Sequence, residues 1–367
     1  MASATVTSET QSWPAGRSAG VAPPGSVLFH APAHVFQSPG GGENQLVQTG
    51  RRLEALGVPV RPFNPWADSI DGARLVHLFG LSREGLELAK VARARAVPVV
   101  LSPICWYEPR AIAALAGSRL HAARDLAKWA AQRVAPRWPR WRRELLELGD
   151  ALLPNSRAEA DQLMRLFAVD PTKVRVVPNG VEPRFAEASP DHWRSRFGAE
   201  PFVLYVGRIE PRKNVLGLVK AARAAGLPLV VIGDAPPGRE AYWHACRSAG
   251  EVRRLPAVRH DDPLLASAYA SARVQALASW FETPGLAALE AAAAGAAVVV
   301  TPYGCTREYF GDLVEYARPD RPNELADALT RAWRDGPNPK LSRHVREHFD
   351  WSEVAGRTAE AYDEVAA

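Results

Sequence analysis

Cysteine is scarce in this sequence, and no hydrophobic run is long. The three cysteines among 367 residues, Cys105, Cys246 and Cys305, are far apart and odd in number. They indicate neither a disulfide framework nor a cysteine-based metal site, and we expect a protein of the reducing cytoplasm. No apolar run approaches the roughly 20 residues that a membrane span needs. Residues 1–25 lack the apolar core of a signal peptide, so we expect them to form a disordered leader.

Positive charge is concentrated in one segment. The net charge is +5, yet residues 119–143 hold eight Lys/Arg and one acid, Asp125, so the rest of the chain is close to −2. A nucleic-acid partner is not predicted, because the basic excess is local. Trp129, Trp138 and Trp141 are interleaved with the arginines of this segment. The pattern suits peripheral contact with an anionic membrane, or, more simply, a solvated helix that carries core tryptophans.

Length and patterning predict two α/β domains. With 367 residues, 47% hydrophobic and 23% charged, the chain is long enough for two cores. Repeated strand, helix, strand patterns in both halves predict parallel sheets with helices on both faces. The predicted domains are 26–180 and 181–350, joined at the turn-rich Pro178–Phe185. Residues 351–367 form an amphipathic pattern that can pack on either domain, including by crossing back to the first.

The predicted elements follow from the apolar runs and the helical periodicity. Open parallel sheets bind ligands at the carboxyl ends of their strands. The predicted strands are Ser26–His30, Val58–Arg61, Leu75–Phe79, Val97–Leu101, Ala151–Pro154, Val174–Val177, Phe202–Val206, Leu229–Ile232, Val274–Leu277, Ala297–Thr301 and Leu313–Tyr316. The predicted helices are Asn44–Leu56, Ser82–Arg95, Ala158–Phe167, Val215–Ala225, Arg239–Ala249, Pro263–Ala270, Asn323–Trp333, Ser352–Val365 and two pieces within 119–143.

The stretch Phe281–Gly295 predicts a loop that turns into an anion-binding helix. Thr283 suits the N-cap, and Pro284 suits the first helical position, where its missing N–H costs nothing. Gly285 and Leu286 would then present free backbone N–H groups at the positive end of the helix dipole.

Two carboxylates flank that helix start. Glu282 lies just outside the helix, and Glu290 lies about 9 Å beyond Pro284. A diphosphate between two sugars fits this layout, with one sugar at Glu282 and a ribose at Glu290. An alanine-rich core helix with two solvated acids fits it as well.

The motif GRIEPRKN, which begins at Gly207, opens the second half. Arg208 follows a strand, and Arg212 and Lys213 stand at the entry of the next helix, the unfavourable end for cations. Such violations of local rules concentrate at functional sites. A bound diphosphate neutralised by Arg208 and Lys213 would account for it. Solvated cations screened by Glu210 are the alternative.

Three consecutive glycines, Gly40, Gly41 and Gly42, separate a predicted strand from a predicted helix. Glycine lets the backbone approach a ligand closely. The spacing does not match the GxGxxG dinucleotide fingerprint, and no suitable acid follows about 20 residues on. A simple turn and a phosphate loop therefore both remain open. Their position would face the anion site of the second domain across the cleft.

Taken together, the motifs resemble the retaining glycosyltransferases of family 4. The specific pieces are GRIEPRKN and the eight-residue Glu-to-Glu spacing in ETPGLAALE, followed by AAAAG. The GGGE loop, DALLPNSRAEADQL at 150–163 and VRVVPNGVEPRF at 174–185 support them. The resemblance runs from about residue 26 to the C-terminus. It implies the GT-B architecture, two Rossmann-like domains that face each other across a cleft, with the nucleotide-sugar donor held mainly by the second.

The resemblance also implies roles for single residues. Arg208 and Lys213 would hold the diphosphate, Glu282 the donor sugar hydroxyls and Glu290 the ribose. The implied catalytic residues are Glu282, Arg208 and Lys213. The implied donor-binding residues are Gly41, Gly42, Gly207, Pro284, Gly285, Leu286 and Glu290.

The chain departs from the family pattern in two places. Thr283 and Pro284 replace the Gly-Phe that often follows the first glutamate, which removes an aromatic side chain beside the sugar. The family also commonly has a histidine after the strand that corresponds to 97–101, where this chain reads SPICWYEP. His30, His34 and His77 are candidates for that role, and each is also readable as a plain packing or loop histidine.

The implied reaction is transfer of a hexosyl or aminohexosyl group from a nucleotide diphosphate sugar to a hydroxyl, with retention of configuration. The acceptor class, whether glycan, lipid-linked or natural product, stays open. Neither a metal nor another cofactor is implied, and Asp261-Asp262 before Pro263 is more simply read as an N-cap. The alternatives are another GT-B enzyme, such as a nucleotide-sugar epimerase or a sugar phosphorylase, and a non-catalytic nucleotide-sugar binder.

Overall fold

The structure is a computed structural model that describes residues 24–32, 35, 40–138 and 140–366. The leader expected at 1–25 lies outside the described residues except for its last two. Two parallel sheets, each packed with helices, organise the described chain. The predicted α/β class with two parallel-sheet units is therefore confirmed.

Five parallel strands make the first sheet, in the order β2-β1-β3-β4-β5. Their side chains are buried almost throughout β1, β3 and β4, as expected for strands covered on both faces. Val27 of β1 pairs with Val60 of β2 and with Leu75 of β3. The strands are β1 (Val27–His30), β2 (Val60–Pro62), β3 (Leu75–Phe79), β4 (Val99–Ser102) and β5 (Ala151–Leu152).

The strand predicted at Val174–Val177 is wrong. Only a single bridge forms there, between Leu152 and Val174. Pro154 carries no N–H to return a ladder bond, so regular pairing ends after β5. The helices around the first sheet are α1 (Gly41–Ala55), α2 (Arg83–Ala94), α3 (Pro109–Leu115), α4 (Arg119–Val134), α5 (Trp141–Leu148) and α6 (Arg157–Phe167).

Six parallel strands make the second sheet, in the order β11-β10-β9-β6-β7-β8. The predictions for Leu229–Ile232 and Val274–Leu277 agree with the structure at both ends. The strands are β6 (Val203–Val206), β7 (Leu229–Ile232), β8 (Arg253–Leu255), β9 (Val274–Leu277), β10 (Ala297–Val300) and β11 (Glu315–Tyr316).

Helices of the second half cover its sheet, and the last one returns to the first. They are α7 (Pro183–Ala186), α8 (Asp191–Phe197), α9 (Val215–Ala224), α10 (Glu240–Ala249), α11 (Pro263–Ser271), α12 (Leu286–Ala293), α13 (Thr306–Phe310), α14 (Pro322–Asp335), α15 (Pro339–His348) and α16 (Trp351–Ala366). α16 packs along α1. The Tyr362 hydroxyl lies 2.6 Å from Nδ1 of His77, and Asp363 pairs with Arg74.

The two halves also meet at the start of α6. The carboxylate of Glu308, in α13, accepts the backbone N–H groups of Arg157 and Ala158 at 2.6 and 3.0 Å. The Tyr309 hydroxyl donates to the carbonyl of Asn155 at 2.6 Å. These bonds hold the first turn of α6 against the second domain.

None of the helices in the described part of the chain is both long enough and apolar enough to cross a bilayer. Cys105, Cys246 and Cys305 are all free thiols.

Candidate functional site

Helix α12 begins two residues later than predicted. It starts at Leu286, and Gly285 is its N-cap with φ of 93°, so the N-cap role of Thr283 and the first-turn role of Pro284 are wrong. The cause is tertiary pairing at Glu282. Its N–H donates to the carbonyl of Tyr303 at 3.1 Å, and its carbonyl accepts the N–H of Cys305 at 3.0 Å. The chain stays extended there and can turn into a helix only after the pairing ends.

Glycine is required at the N-cap of α12. Its φ of 93° lies in the left-handed region, and a Cβ there would come within 3.1 Å of Cδ1 of Leu277. The first N–H groups of the helix, from Leu286 onward, lack intrahelical acceptors as at any helix N-terminus. The helix start predicted to bind an anion is thus shifted from 284–286 to 285–287.

Lys213 and Glu282 form a buried ion pair just outside that tip. Nζ of Lys213 lies 2.6 Å from Oε1 of Glu282, and the two side chains are 17% and 5% exposed. The Ser279 hydroxyl also donates to Glu282. Burial alone would raise the pKa of Glu282, but the charges of Lys213 and Arg212 outweigh it and hold the pKa below its ordinary value. Burial lowers the pKa of Lys213 against the opposing attraction of Glu282.

The cations of the GRIEPRKN motif precede α9 rather than stand in its first turn. Residues Pro211–Lys213 form a short 3-10 turn, and α9 begins at Val215. Arg212 pairs with Glu210 at 3.2 Å. The predicted conflict with the dipole of α9 is therefore weaker than the sequence suggested. The ion pair between Lys213 and Glu282 is the stronger reason to place a site here.

Arg208 is held by the loop that follows β6. Gly207 has φ of 147°, and the Tyr205 hydroxyl donates to the carbonyl of Arg208 at 2.7 Å. The Arg208 guanidinium stands opposite the first domain, since a Cβ on Gly40 would lie 3.9 Å from its central carbon. Nη2 of Arg208 is 3.8 Å from Oε1 of Glu210.

The three glycines of the first domain belong to a helix start rather than to a loop. Gly40 is the N-cap of α1, and Gly41 and Gly42 form its first turn, so the loop prediction is corrected. The Glu43 carboxylate accepts the N–H of Gly40, and this bond stabilises a helix start at Gly41 instead of the predicted start at Asn44. A Cβ on Gly41 would lie 3.7 Å from Cδ1 of Leu286. The starts of α1 and α12 therefore face each other across the two domains, at the position expected for these glycines.

Glu290 contacts a histidine that the sequence did not single out. Its Oε1 lies 2.7 Å from Nε2 of His260, and its Oε2 accepts the Tyr269 hydroxyl at 2.9 Å. Nδ1 of His260 is 3.3 Å from Oε1 of Glu182. Nε2 of His260 is also 3.2 Å from Nδ2 of Asn44, which lies in α1. No periodicity or spacing pointed to His260. The assignment of Glu290 to a ribose stays a prediction.

Asp262 is confirmed as an N-cap, because its side chain accepts the N–H of Leu264 at the start of α11. Among the described residues, no three His, Cys, Asp or Glu side chains are grouped closely enough to hold a metal ion.

The histidine candidates of the first domain separate. His77 is buried with both ring nitrogens occupied, Nδ1 by Tyr362 and Nε2 by Ser102 at 2.9 Å. Burial lowers the pKa of His77 to about 3, so it is a neutral packing residue and its candidacy is withdrawn. His30 lies at the carboxyl end of β1, and burial lowers its pKa while Glu84 opposes the shift. His34 lies outside the described residues.

Comparison with known proteins gives two family matches. Residues 200–335 match the model described as Glycosyl transferases group 1, and residues 39–185 match the model described as Glycosyltransferase Family 4. Between them the two matches cover most of both sheets. The boundary between the matches falls close to the predicted linker at 178–185.

Several curated relatives are D-inositol 3-phosphate glycosyltransferases. The Actinosynnema mirum protein is 33% identical over 239 residues, 58% of this chain and 57% of the relative. The Salinispora tropica protein is 32% identical over 250 residues, 59% of this chain and 52% of the relative. This chain thus spans little more than half the length of the curated relatives it matches.

Solved structures show the same two-domain fold. Sucrose-phosphate synthase from Thermosynechococcus elongatus superposes with a TM-score of 0.74 at 19% identity, covering 93% of this chain and 99% of that chain. The Anabaena protein HepE in complex with UDP and glucose has a TM-score of 0.65 at 17% identity, covering 92% of this chain and 99% of that chain. At these identities the likeness concerns the fold alone, and the predicted GT-B architecture is confirmed.

Proposed function

Since the chain belongs to the family-4 glycosyltransferases, we propose that it transfers a hexosyl or aminohexosyl group from a nucleotide diphosphate sugar to an acceptor hydroxyl, with retention of configuration. The observation that carries the proposal is the buried pair of Lys213 and Glu282 beside the start of α12. The Lys213 ammonium and the free N–H groups of the helix start can neutralise a diphosphate. The Glu282 carboxylate beside them can accept hydrogen bonds from sugar hydroxyls.

In this reaction the bond between the anomeric carbon and the phosphate oxygen breaks, and the acceptor oxygen forms a bond to the same carbon. The acceptor proton passes to the leaving phosphate oxygen, which yields the nucleoside diphosphate. Arg208, Lys213 and the start of α12 stabilise the charge that builds on that leaving group, and such preorganised stabilisation is often the largest catalytic term. The proposed step needs no metal and no protein base.

The two ends of the donor fall on different residues in this proposal. Glu282, fixed by Lys213 and Ser279, contacts the sugar hydroxyls. Glu290, fixed by His260 and Tyr269, contacts the ribose. Gly41 and Gly42 at the start of α1 close over the diphosphate from the first domain. The three free thiols fit a reducing compartment, and we place the reaction in the cytoplasm.

A thermal-shift screen of nucleoside diphosphates and their sugars tests donor binding. Uridine compounds come first, because the Anabaena relative was solved with UDP and with UDP-glucose. A ligand at 100 times its dissociation constant should stabilise the fold by about 2.7 kcal/mol. The absence of a response to every nucleotide would contradict the proposal.

Release of nucleoside diphosphate, measured with and without acceptor mixtures, separates the competing activities. A transferase releases it in step with glycosylated acceptor. An epimerase converts the donor without releasing nucleoside diphosphate, a phosphorylase consumes phosphate instead, and a non-catalytic binder never turns the donor over. Epimerisation, consumption of phosphate or binding without turnover would each contradict the proposed function.

A further inference from the structure

Helix α4 lies on the surface of the first domain and is mostly exposed. Of its 16 residues only Gln132 is buried, and the helix rests on α3 and α6. Helices in proteins are stabilised mainly by packing of an apolar face, so apolar side chains left exposed on the outer side of α4 call for a partner there. α3, which supports it, buries only Ala111.

An apolar face runs along the outer side of α4. Leu120 is 79% exposed and Val134 is 86% exposed, and Trp138, just beyond the helix, is 62% exposed. The spacing of three and four residues puts the members of this face on one side of the helix. They are Leu120, Ala123, Ala127, Ala131 and Val134, and all five are exposed.

This cluster is not typical surface scatter. Among the described residues, four of the seven exposed large hydrophobic side chains lie between 115 and 138. Single exposed hydrophobic residues are normal, but a contiguous group with a polar rim marks an interaction site. We refer to the outer surface of 115–138 as the α4 face.

Cations border the α4 face. Arg124 and Lys128 are 57% and 60% exposed, and the acid near them is Asp125, which contacts both. The other exposed cations of the segment are Arg119, Arg133, Arg137, Arg140 and Arg142. A lipid surface with anionic headgroups complements both features, because it offers negative charge above an apolar layer. Nucleic acid would engage the cations and leave the apolar side chains in water.

The α4 face belongs to a helix that is connected to the second domain through its neighbour α3. Its supporting helix α3 packs against the turn Pro211–Lys213, which carries the proposed diphosphate ligand. The Arg110 guanidinium, in α3, lies 4.6 Å from the ring centre of Tyr303 in the second domain. Helix α3, on which α4 rests, therefore lies beside the proposed donor and acceptor site.

From this placement we propose that the α4 face docks on an anionic membrane and that the acceptor hydroxyl belongs to a lipid in that membrane. The second part rests on the proposed function, and the first does not. Leu120, Val134 and Trp138 insert among the headgroups, and the surrounding arginines and Lys128 attract the negative surface.

Vesicle flotation with the full chain tests the docking. The vesicles are phosphatidylcholine alone or phosphatidylcholine with a third phosphatidylglycerol, at low and high salt. We expect binding only to the anionic vesicles and weaker binding at high salt. Arg124→Gln with Lys128→Gln should lower the partition coefficient by about 25-fold, at about fivefold for each cation. Leu120→Glu with Val134→Glu should abolish binding.

Matched controls remove the same groups elsewhere. Lys220→Gln with Arg247→Gln takes two exposed cations from the second domain, and Trp66→Ser removes the exposed tryptophan of another loop. Both should float like the parent, and circular dichroism should show all variants folded. Flotation of the α4 variants at parental level, or equal binding to neutral vesicles, would overturn the proposal.

The nucleotide response separates the two proposals. The Leu120→Glu/Val134→Glu variant should keep the parental thermal shift with nucleoside diphosphate, since neither residue lies in the donor site. It should lose transfer to lipid extracts presented as vesicles but keep transfer to the same lipid dissolved in detergent. Flotation without any response to nucleotide would refute the proposed function and leave the membrane docking supported. A Leu120→Glu/Val134→Glu variant that transfers equally in both formats would refute docking as the route to the acceptor, and a parent chain that binds nucleotide but transfers to no lipid in either format would refute the lipid acceptor alone.

Discussion

Replacement of Lys213 by methionine separates a structural role of the ion pair from a functional one. The Glu282 carboxylate is 5% exposed and would lose its cation at 2.6 Å. Removing one partner of a buried pair costs about 3–5 kcal/mol, because the other charge is left without compensation. Glu282→Gln should cost less, since Lys213 is 17% exposed and its long side chain can reach water. We therefore expect Lys213→Met to be the most destabilised variant of the pair.

The double variant Lys213→Met/Glu282→Gln should regain most of that stability. It leaves no buried charge behind, and neutral replacement of a buried pair is often close to neutral in free energy. The measurement is the urea midpoint of unfolding, followed by tryptophan fluorescence. Glu315→Gln is the control, because its pair with Arg331 at 2.8 Å is partly exposed and should contribute no more than about 1 kcal/mol.

Activity should not follow stability in this series. If Lys213 stabilises the leaving diphosphate, the double variant should release nucleoside diphosphate about 10²–10³-fold more slowly than the parent, in line with loss of one preorganised electrostatic group. Single-turnover release with saturating donor measures it. A double variant that recovers both stability and parental turnover would show that the pair is only structural, and the site assignment would be refuted.

Three further variants test other contacts. Glu290→Gln should weaken nucleoside diphosphate binding by about tenfold in calorimetry, through loss of a charge-assisted hydrogen bond, and an unchanged affinity would place the ribose elsewhere. Glu308→Ala should lower the urea midpoint by the equivalent of about 1 kcal/mol, because two N–H groups of α6 lose their acceptor; an unaltered midpoint would show that this contact is dispensable. The pKa of His77 is lowered from 6.5 to about 3, so below pH 6.5 the unfolded chain takes up a proton that the fold does not, and stability falls as pH falls. His77→Gln should therefore lose about 2 kcal/mol less than the parent between pH 8 and pH 5, and parallel pH profiles would contradict the neutral assignment.

Elements with a strong local signal were predictable, and those that depend on tertiary context were not. Leu229–Ile232 and Val274–Leu277 are apolar runs bounded by polar or turn residues, which is how a buried strand reads. β8 was missed because Arg253–Leu255 is an edge strand with exposed arginines. α15 was missed because it buries only Leu341 and Val345 and is otherwise polar.

The candidate site shows the same division. Lys213 and Glu282 are 69 residues apart in the sequence, and the motifs that contain them predicted that both belong to one donor site. The start of α12 could not be read locally, because Thr283 and Pro284 obey every capping rule while pairing of Glu282 with the neighbouring loop decides the outcome. His260 carried no signal either. His260 is a single histidine in a turn, and only the folded structure shows that it lies beside Glu290.

The contacts of His260 link the nucleotide end of the site to the position of the first domain. Asn44 of α1 and Glu290 of α12 both lie within 3.2 Å of the same ring nitrogen of His260. Separation of the domains would remove the Asn44 contact, while a ribose on Glu290 would compete for the oxygen that His260 uses. Nε2 can donate to Glu290 or accept from Asn44 but not both at once, so a ligand that takes over the Glu290 oxygen shifts this nitrogen toward the Asn44 bond, which contributes about 1 kcal/mol. With a ribose bound to Glu290 as proposed, we expect nucleotide binding and domain approach to be coupled through His260, and by reciprocity contacts that draw the domains together, such as that of Glu308 with α6, should alter the affinity for the nucleotide.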